Sequence, residues 1–213
     1  MTYVLTKKMP VGFTIVLGVD TGAHDAAAVG VLHPLPCEPL LMTASLLEYH
    51  LIGRWAWSTA DLKRRSELTG RIIDARATVK TGALAPCLSA VAACRERLGE
   101  FASADHPVTN VFVRAEHAWV KPKEQGGASG QGAYGPMASA GAWLTLASPA
   151  HAYELPNAGD WRKHYGFQGR RAGLKAQAMQ WGRGLLGEDA TEHECEALAM
   201  ALIPPSLAHQ GER

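Results

Sequence analysis

"VLGVDTGAHDAAAVGVL", residues 16–32, decides how the rest of the chain is read. An apolar run ends abruptly in Asp20, the chain turns at Gly22, and a second apolar run follows. The continuous run "TIVLGVD" at 14–20 has the pattern of a strand covered on both faces by helices. The short connection at 21–25 predicts an antiparallel hairpin to a second strand over 26–33. A carboxylate at the tip of a strand that is otherwise core calls for a chemical reason.

Outward from this hairpin, "LLMTASLLE" at 40–48 reads as a third strand. "VTNVFVRA" at 108–115 reads as a fourth, ending in Glu116, and "HAYEL" at 151–155 as a short fifth. Helices are expected from Pro86 to about Phe101, then over 136–147, 158–165, 172–186 and 190–203, the last stopped by Pro204-Pro205. The expected architecture is α/β: a mixed five-stranded sheet, three antiparallel strands then two parallel ones, flanked by helices. Residues 50–85 are the least regular part. Ser58 and Asp61 have capping-box spacing, and Leu62, Leu68, Ile72 and Ile73 give a rough helical stripe. Seven basic residues against three acids over 54–80 make that segment mildly positive.

The chain's 213 residues and 47% hydrophobic content suit a single domain over 1–213, with tails at 1–13 and 204–213. A formal charge of +1 leaves no global pull towards nucleic acid, so any such contact must rest on local clustering. The cysteines at 37, 87, 94 and 195 form no C-x-x-C pair, which argues against a zinc site or disulfide scaffold and fits a reducing cytosol. No apolar run approaches the ~20 residues of a bilayer span, and no signal-peptide pattern opens the chain. The expectation is a cytoplasmic protein without membrane contact.

Asp20 and Glu116 share one feature: each ends a buried strand at its carboxyl end, where sites gather in open α/β sheets. On neighbouring strands two such carboxylates repel unless a cation neutralises them or one takes a proton. The plain alternative is that each strand simply ends in a polar loop residue. A third acidic element is "EHECEALAM" at 192–200. On a helix His193 and Glu196, spaced i and i+3, face one way, with Glu192 beside that face. Hard carboxylate ligands from two strands plus His and Glu from a helix suit Mg²⁺ or Mn²⁺. A surface helix with an acidic first turn, which the helix dipole favours, is the competing reading.

The pieces "LGVDTG", "VFVRAEHAW" and "HECEALAMAL" resemble, in order and spacing, the RuvC family of Holliday junction resolvases within the ribonuclease H-like superfamily. The similarity runs through "LPNAGDWRKHYGFQGRRAGLKAQAM", covers about 14–49 and 86–203, and is strongest in the phage-type branch. Residues 50–85 depart from the family as an insertion. The resemblance implies a ribonuclease H-like fold and four metal-binding catalytic positions, Asp20, Glu116, His193 and Glu196, with Glu192 as a competing ligand. It also implies two cations, about 4 Å apart, one activating a water and the other stabilising the leaving 3′ oxygen. Branched DNA would be cut to 5′-phosphate and 3′-hydroxyl ends, by a homodimer matched to the two-fold axis of a four-way junction.

For DNA contact, residues 161–183 hold Arg162, Lys163, Arg170, Arg171, Lys175 and Arg183 with no acid among them. Lys163 and Lys175 match basic positions of the family. Trp119 stands where the family has an aromatic that stacks on an unpaired base. Lys121 and Lys123 open the Gly-rich stretch "KPKEQGGASGQGAYG" at 121–135. For the basic residues a solvated helix face, and for Trp119 core burial, are the plainer readings. "GQGAYG" at 130–135 fits G-x-G-x-x-G but starts well after its strand, so no nucleotide cofactor is expected. Two rivals remain: a non-catalytic DNA-binding protein on the same scaffold, and an actin-like or sugar-kinase protein. The latter needs a second related domain, for which the chain is short.

Overall fold

Strand β1 (Thr14–Asp20) runs through the middle of a five-stranded sheet, and all seven of its residues are buried. In the computed structural model, the residues described are 14–22, 25–33, 43–58, 84–101, 110–117, 134–147 and 152–203. β2 (Asp25–His33) pairs antiparallel with β1, and β3 (Leu51–Ser58) antiparallel with β2. On the other side β4 (Asn110–Ala115) pairs parallel with β1, and β5 (Tyr153–Glu154) parallel with β4. The order β3-β2-β1-β4-β5, three antiparallel strands then two parallel, is the expected mixed five-stranded sheet.

The third strand lies elsewhere than the sequence predicts. The stretch read as a strand at 40–48 instead enters helix α1 (Ala44–His50), and the strand follows at 51–58. Thr43 explains the switch: its hydroxyl accepts from the Leu46 amide and caps the helix. Leu47 of α1 is buried while Leu46 is exposed. In β3 the aromatics carry the pairing face, with Trp57 stacked on Trp143 at 5.6 Å and Trp55 tilted against it at 6.1 Å. Ser58 closes this strand, and its hydroxyl bonds Asp25 Oδ1 at 2.5 Å. Within the segment expected to be an insertion, 50–85, residues 51–58 form this strand, and the helix expected from Ser58 to about Lys80 falls almost wholly outside the described residues.

The remaining described helices are α2 (Leu84–Phe101), α3 (Tyr134–Leu144), α4 (Ala158–His164), α5 (Arg171–Leu186) and α6 (Glu192–Leu202). They cover the two faces of the sheet. Strand periodicity sends Ile15, Leu17 and Val19 of β1, with Val111, Val113 and Ala115 of β4, into the layer of α2 and α3. Val29 and Val31 of β2 pack on the opposite side against Ala197, Leu198, Ala201 and Leu202 of α6. Trp161, Ala178 and Met200 continue that second layer under α4 and α5. Cys87, Cys94 and Cys195 are free and buried. No described helix is long and apolar enough to cross a membrane.

Helix α6 is held at backbone distance. A Cβ on Gly18 would lie 2.0 Å from the Ala197 carbonyl oxygen and 2.5 Å from the Ala201 nitrogen. From behind, a Cβ on Gly182 of α5 would lie 2.5 Å from Cys195 Cβ. At the far end Arg114 donates to the Met200 and Ile203 carbonyls at 2.7 and 2.6 Å, and to Glu154 at 2.8 Å. His33 Nε2 lies 2.7 Å from the Ala201 carbonyl. A carbonyl only accepts, so Nε2 carries the hydrogen. These contacts satisfy carbonyls that a helix C-terminus otherwise leaves open.

Gly18→Ala is expected to force α6 away from β1 and to cost about 1–3 kcal/mol or more as an overpacking substitution. Thermal unfolding followed by circular dichroism should show a midpoint several degrees lower. A midpoint equal to that of the parent protein would show that the helix can shift freely.

Candidate metal centre

The same periodicity that buries Ile15, Leu17 and Val19 on one face turns Val16, Gly18 and Asp20 to the α6 face. In β4 it turns Phe112, Arg114 and then Glu116 that way as well. Val19 pairs with Ala115, so Asp20 and Glu116 follow as neighbours on adjacent parallel strands, which lie about 4.8 Å apart. The Glu116 amide extends the ladder by donating to Val19 O at 2.9 Å, and the Thr21 hydroxyl donates to Glu116 O at 3.0 Å. On α6, one turn before the Gly18 contact at Ala197 lies His193, with Glu196 beside it. One helical turn advances about 5.4 Å and two strand residues about 6.6 Å, so the helix delivers these groups level with Asp20.

Carboxylate oxygens of Asp20, Glu116 and Glu196 all lie within 4.8 Å of one another. Asp20 and Glu196 are buried, Glu116 half-buried. His193 is not a fourth member of that trio. Its Nδ1 lies 2.5 Å from Asp20 Oδ2, so it partners one carboxylate from the side. Glu192 stays outside and forms an ion pair with Lys175. Glu194 is occupied twice over, closing the Thr191 capping box and bonding Arg54 at 2.9 and 3.1 Å. The acidic first turn of α6 is thereby sorted residue by residue, with only Glu196 facing the strand carboxylates.

Two residues of α4 complete the centre, and the sequence reading had given neither this role. Trp161, almost wholly buried, donates its indole N–H to Glu116 Oε2 at 3.3 Å. Arg162, read as a DNA contact, bonds Glu196 Oε1 through a terminal nitrogen at 2.6 Å and stacks its guanidinium 4.7 Å from the Trp161 ring. The Asn157–Asp160 capping box that opens α4 fixes which residues point inward, and "NAGDW" carries that signature.

The electrostatics register the crowding. Burial first, then the Asp20 and Glu196 carboxylates, pushes Glu116 up to about 7, against the opposing pull of Arg162 and the Trp161 N–H. Glu196 is raised by burial and then by Asp20, with Arg162 and Lys175 working the other way. The bond to Asp20 raises His193 above the usual imidazole value despite its burial. Glu194 differs: burial opposes its charge, but Arg54 and Thr191 outweigh it and its pKa falls. Three converging carboxylates whose like charges repel are a hard donor set suited to a divalent cation such as Mg²⁺ or Mn²⁺.

A cleft of about 660 Å³ opens over the trio. The turn residues Thr21 and Gly22 and the start of α4 at Asn157–Gly159 form two of its sides, and Arg171 and Lys175 of α5 reach it as well. Of the basic residues singled out in the sequence, Arg162, Arg171 and Lys175 line this cleft. Lys163 and Arg170 are exposed away from its lining, and Arg183 is spent on the Ala190 carbonyl at 3.0 Å. Trp119, Lys121 and Lys123 lie outside the described residues, as does the Gly-rich stretch up to 133.

No family model matches the chain, and no curated protein matches it. Among solved structures it is similar to one described as T. thermophilus RuvC in complex with Holliday junction substrate. The identity is 16%, the TM-score 0.44, and the alignment covers 88% of this chain and 90% of that one. So distant a likeness says nothing about the chemistry, which has to be read from the carboxylates themselves.

The raised groups give the protein a defined pH response when no divalent ion is present. Between about 4.5 and 7 folded Glu116 keeps a proton that the unfolded chain has released. The unfolded state then binds fewer protons, so stability falls as pH rises. His193, also raised, acts with the same sign above the ordinary imidazole value. At about 1.4 kcal/mol per pH unit, the Glu116 shift amounts to roughly 3 kcal/mol. In EDTA the unfolding midpoint should fall from pH 5 to pH 8, Glu116→Gln should flatten that fall, and Mn²⁺ at pH 8 should restore the midpoint. A profile that rises over this range would contradict the assigned repulsion.

Proposed function

We propose that this chain is a divalent-cation-dependent endodeoxyribonuclease that cuts branched DNA, four-way junctions foremost, by phosphodiester hydrolysis. The observation that carries the reading is the convergence of Asp20, Glu116 and Glu196 oxygens within 4.8 Å at the strand ends. The sequence motifs that resemble the RuvC family supply the substrate class, and the phage-type affinity rests on those motifs alone.

Asp20, Glu116 and Glu196 would hold Mg²⁺ or Mn²⁺, with the ion count matching the two implied by the family resemblance. A bound divalent cation supplies Lewis-acid polarisation of the scissile phosphate and a nucleophile at neutral pH. The remaining work falls to the chain's own groups. His193, bonded to Asp20, orients that carboxylate and offers a protonatable nitrogen at the edge of the trio. Arg171 and Lys175 bring positive charge to the cleft wall, where the phosphate backbone would lie. Lys163 and Arg170, exposed nearby, extend that track outwards. Trp119, Lys121 and Lys123 are proposed to contact the junction as well. A C2 homodimer would present two such clefts to a two-fold symmetric junction.

Incubation of the protein with end-labelled four-way junction, flap and linear duplex substrates tests this directly. Junction cleavage dependent on Mg²⁺ or Mn²⁺ is expected, with linear duplex left intact. Asp20→Asn should reduce cleavage by about 10²-fold or more while junction binding persists, as expected when a charge-stabilising group is removed. Binding without cleavage by the parent protein, under any divalent ion, would favour the non-catalytic DNA-binding reading instead. For Lys163→Ala, the dependence of log K on log salt should shallow by about 1, and an unchanged slope would remove Lys163 from the phosphate contacts.

A further inference from the structure

We infer that Arg162 is a built-in counter-cation of the acidic centre, competing with divalent metal for Glu196 and released from it when metal binds. This rests on the nuclease reading above and adds its regulation.

The geometry sets Arg162 apart from the other basic residues of the cleft. It lies in the ion pair with Glu196 at 2.6 Å, with side chains only 12% and 4% exposed, whereas Lys175 pairs with Glu192 beyond the trio. Its charge is therefore spent on the same carboxylate that a cation would use. A buried guanidinium is usually held by a full fork of hydrogen bonds. Arg162 is not: its Nε is buried with no hydrogen-bond partner. An orphaned buried donor is costly, so this placement is tolerated rather than optimal. What holds the side chain there is Glu196 on one side and the face of Trp161, 4.7 Å away, on the other.

That arrangement can be exchanged. A divalent ion on Asp20, Glu116 and Glu196 neutralises the charge that attracts Arg162, and a like-charged guanidinium beside it is repelled. Arg162 lines the open cleft, so the freed side chain can turn towards a phosphate, where its orphaned Nε also gains an acceptor. Metal loading and DNA engagement thus become linked through one side chain. Without DNA, Arg162 lowers metal affinity. With a phosphate present to accept it, that competition disappears.

The test is calorimetric titration of Mn²⁺ into the DNA-free full-length protein, parent and Arg162→Gln, with folding checked by circular dichroism. Arg162→Gln is expected to bind Mn²⁺ on the order of tenfold more tightly, and a cleavage-resistant junction should tighten Mn²⁺ binding by the parent but not by the variant. Equal or weaker Mn²⁺ binding by the folded variant would overturn the inference. Absence of Mn²⁺ binding by both proteins would instead overturn the metal centre itself, and the inference with it. As a measurement independent of the variant's folding, the Arg162 Nε–H resonance of the parent should move in step with Mg²⁺ saturation. A resonance that stays fixed while the site fills would equally reject the exchange.

Discussion

The contact between Gly18 and the backbone of α6 fixes everything downstream of it. Strand and helix meet there without an intervening side chain, and the distance between their axes is set by backbone atoms alone. From that point the arithmetic of the two periodicities does the rest. Two residues along the strand bring Asp20, one turn along the helix brings His193, and Glu196 lies between. Any larger residue at 18 would keep both elements and lose their alignment. The second close approach, Gly182 against Cys195, presses the helix from behind, so α6 has no room to rotate its acidic face away.

Stability and chemistry pull in opposite directions at this position. Three carboxylates in a partly buried cluster are a liability for the fold, as the elevated Glu116 shows. The surroundings offset it with groups aimed from three directions: the Trp161 N–H, the Arg162 guanidinium and the His193 ring. Elsewhere on α6 the opposite strategy holds. Glu194 is fully matched by Arg54 and Thr191, and Arg114 fastens the C-terminal end to Glu154 and two carbonyls. The matched pairs flank the cluster and the mutually repelling carboxylates sit inside it. That is the distribution expected where a scaffold must hold charges that repel one another.

Much of this was legible in the chain. An apolar run ending in Asp20 and another ending in Glu116 announced two buried strands, because only elements covered on both faces remain apolar throughout. The i and i+3 spacing of His193 and Glu196 placed them on one helix face. Local pattern failed at 40–58, where "TASLLE" has the composition of either element and a single threonine cap decided for helix. Nor could it pair the cations. Counting Arg162 and Lys175 among a run of basic residues could not show that each faces an acid contributed by α6. Pairings across long stretches of chain depend on how helices pack, and nothing in local spacing encodes them. The parting of His193 from the carboxylate trio is of the same kind, since it turns on which side of Asp20 the ring falls.

The order of the three carboxylates along the chain has its own meaning for biosynthesis. Asp20 belongs to the first described strand, Glu116 to the middle of the chain and Glu196 to the final described helix. A nascent polypeptide can therefore complete the central sheet while still lacking the last oxygen donor. A truncated translation product ending before α6 would have two acids and no enclosed centre. The cluster of three carboxylates therefore forms only once α6 has docked on the sheet that carries the first two.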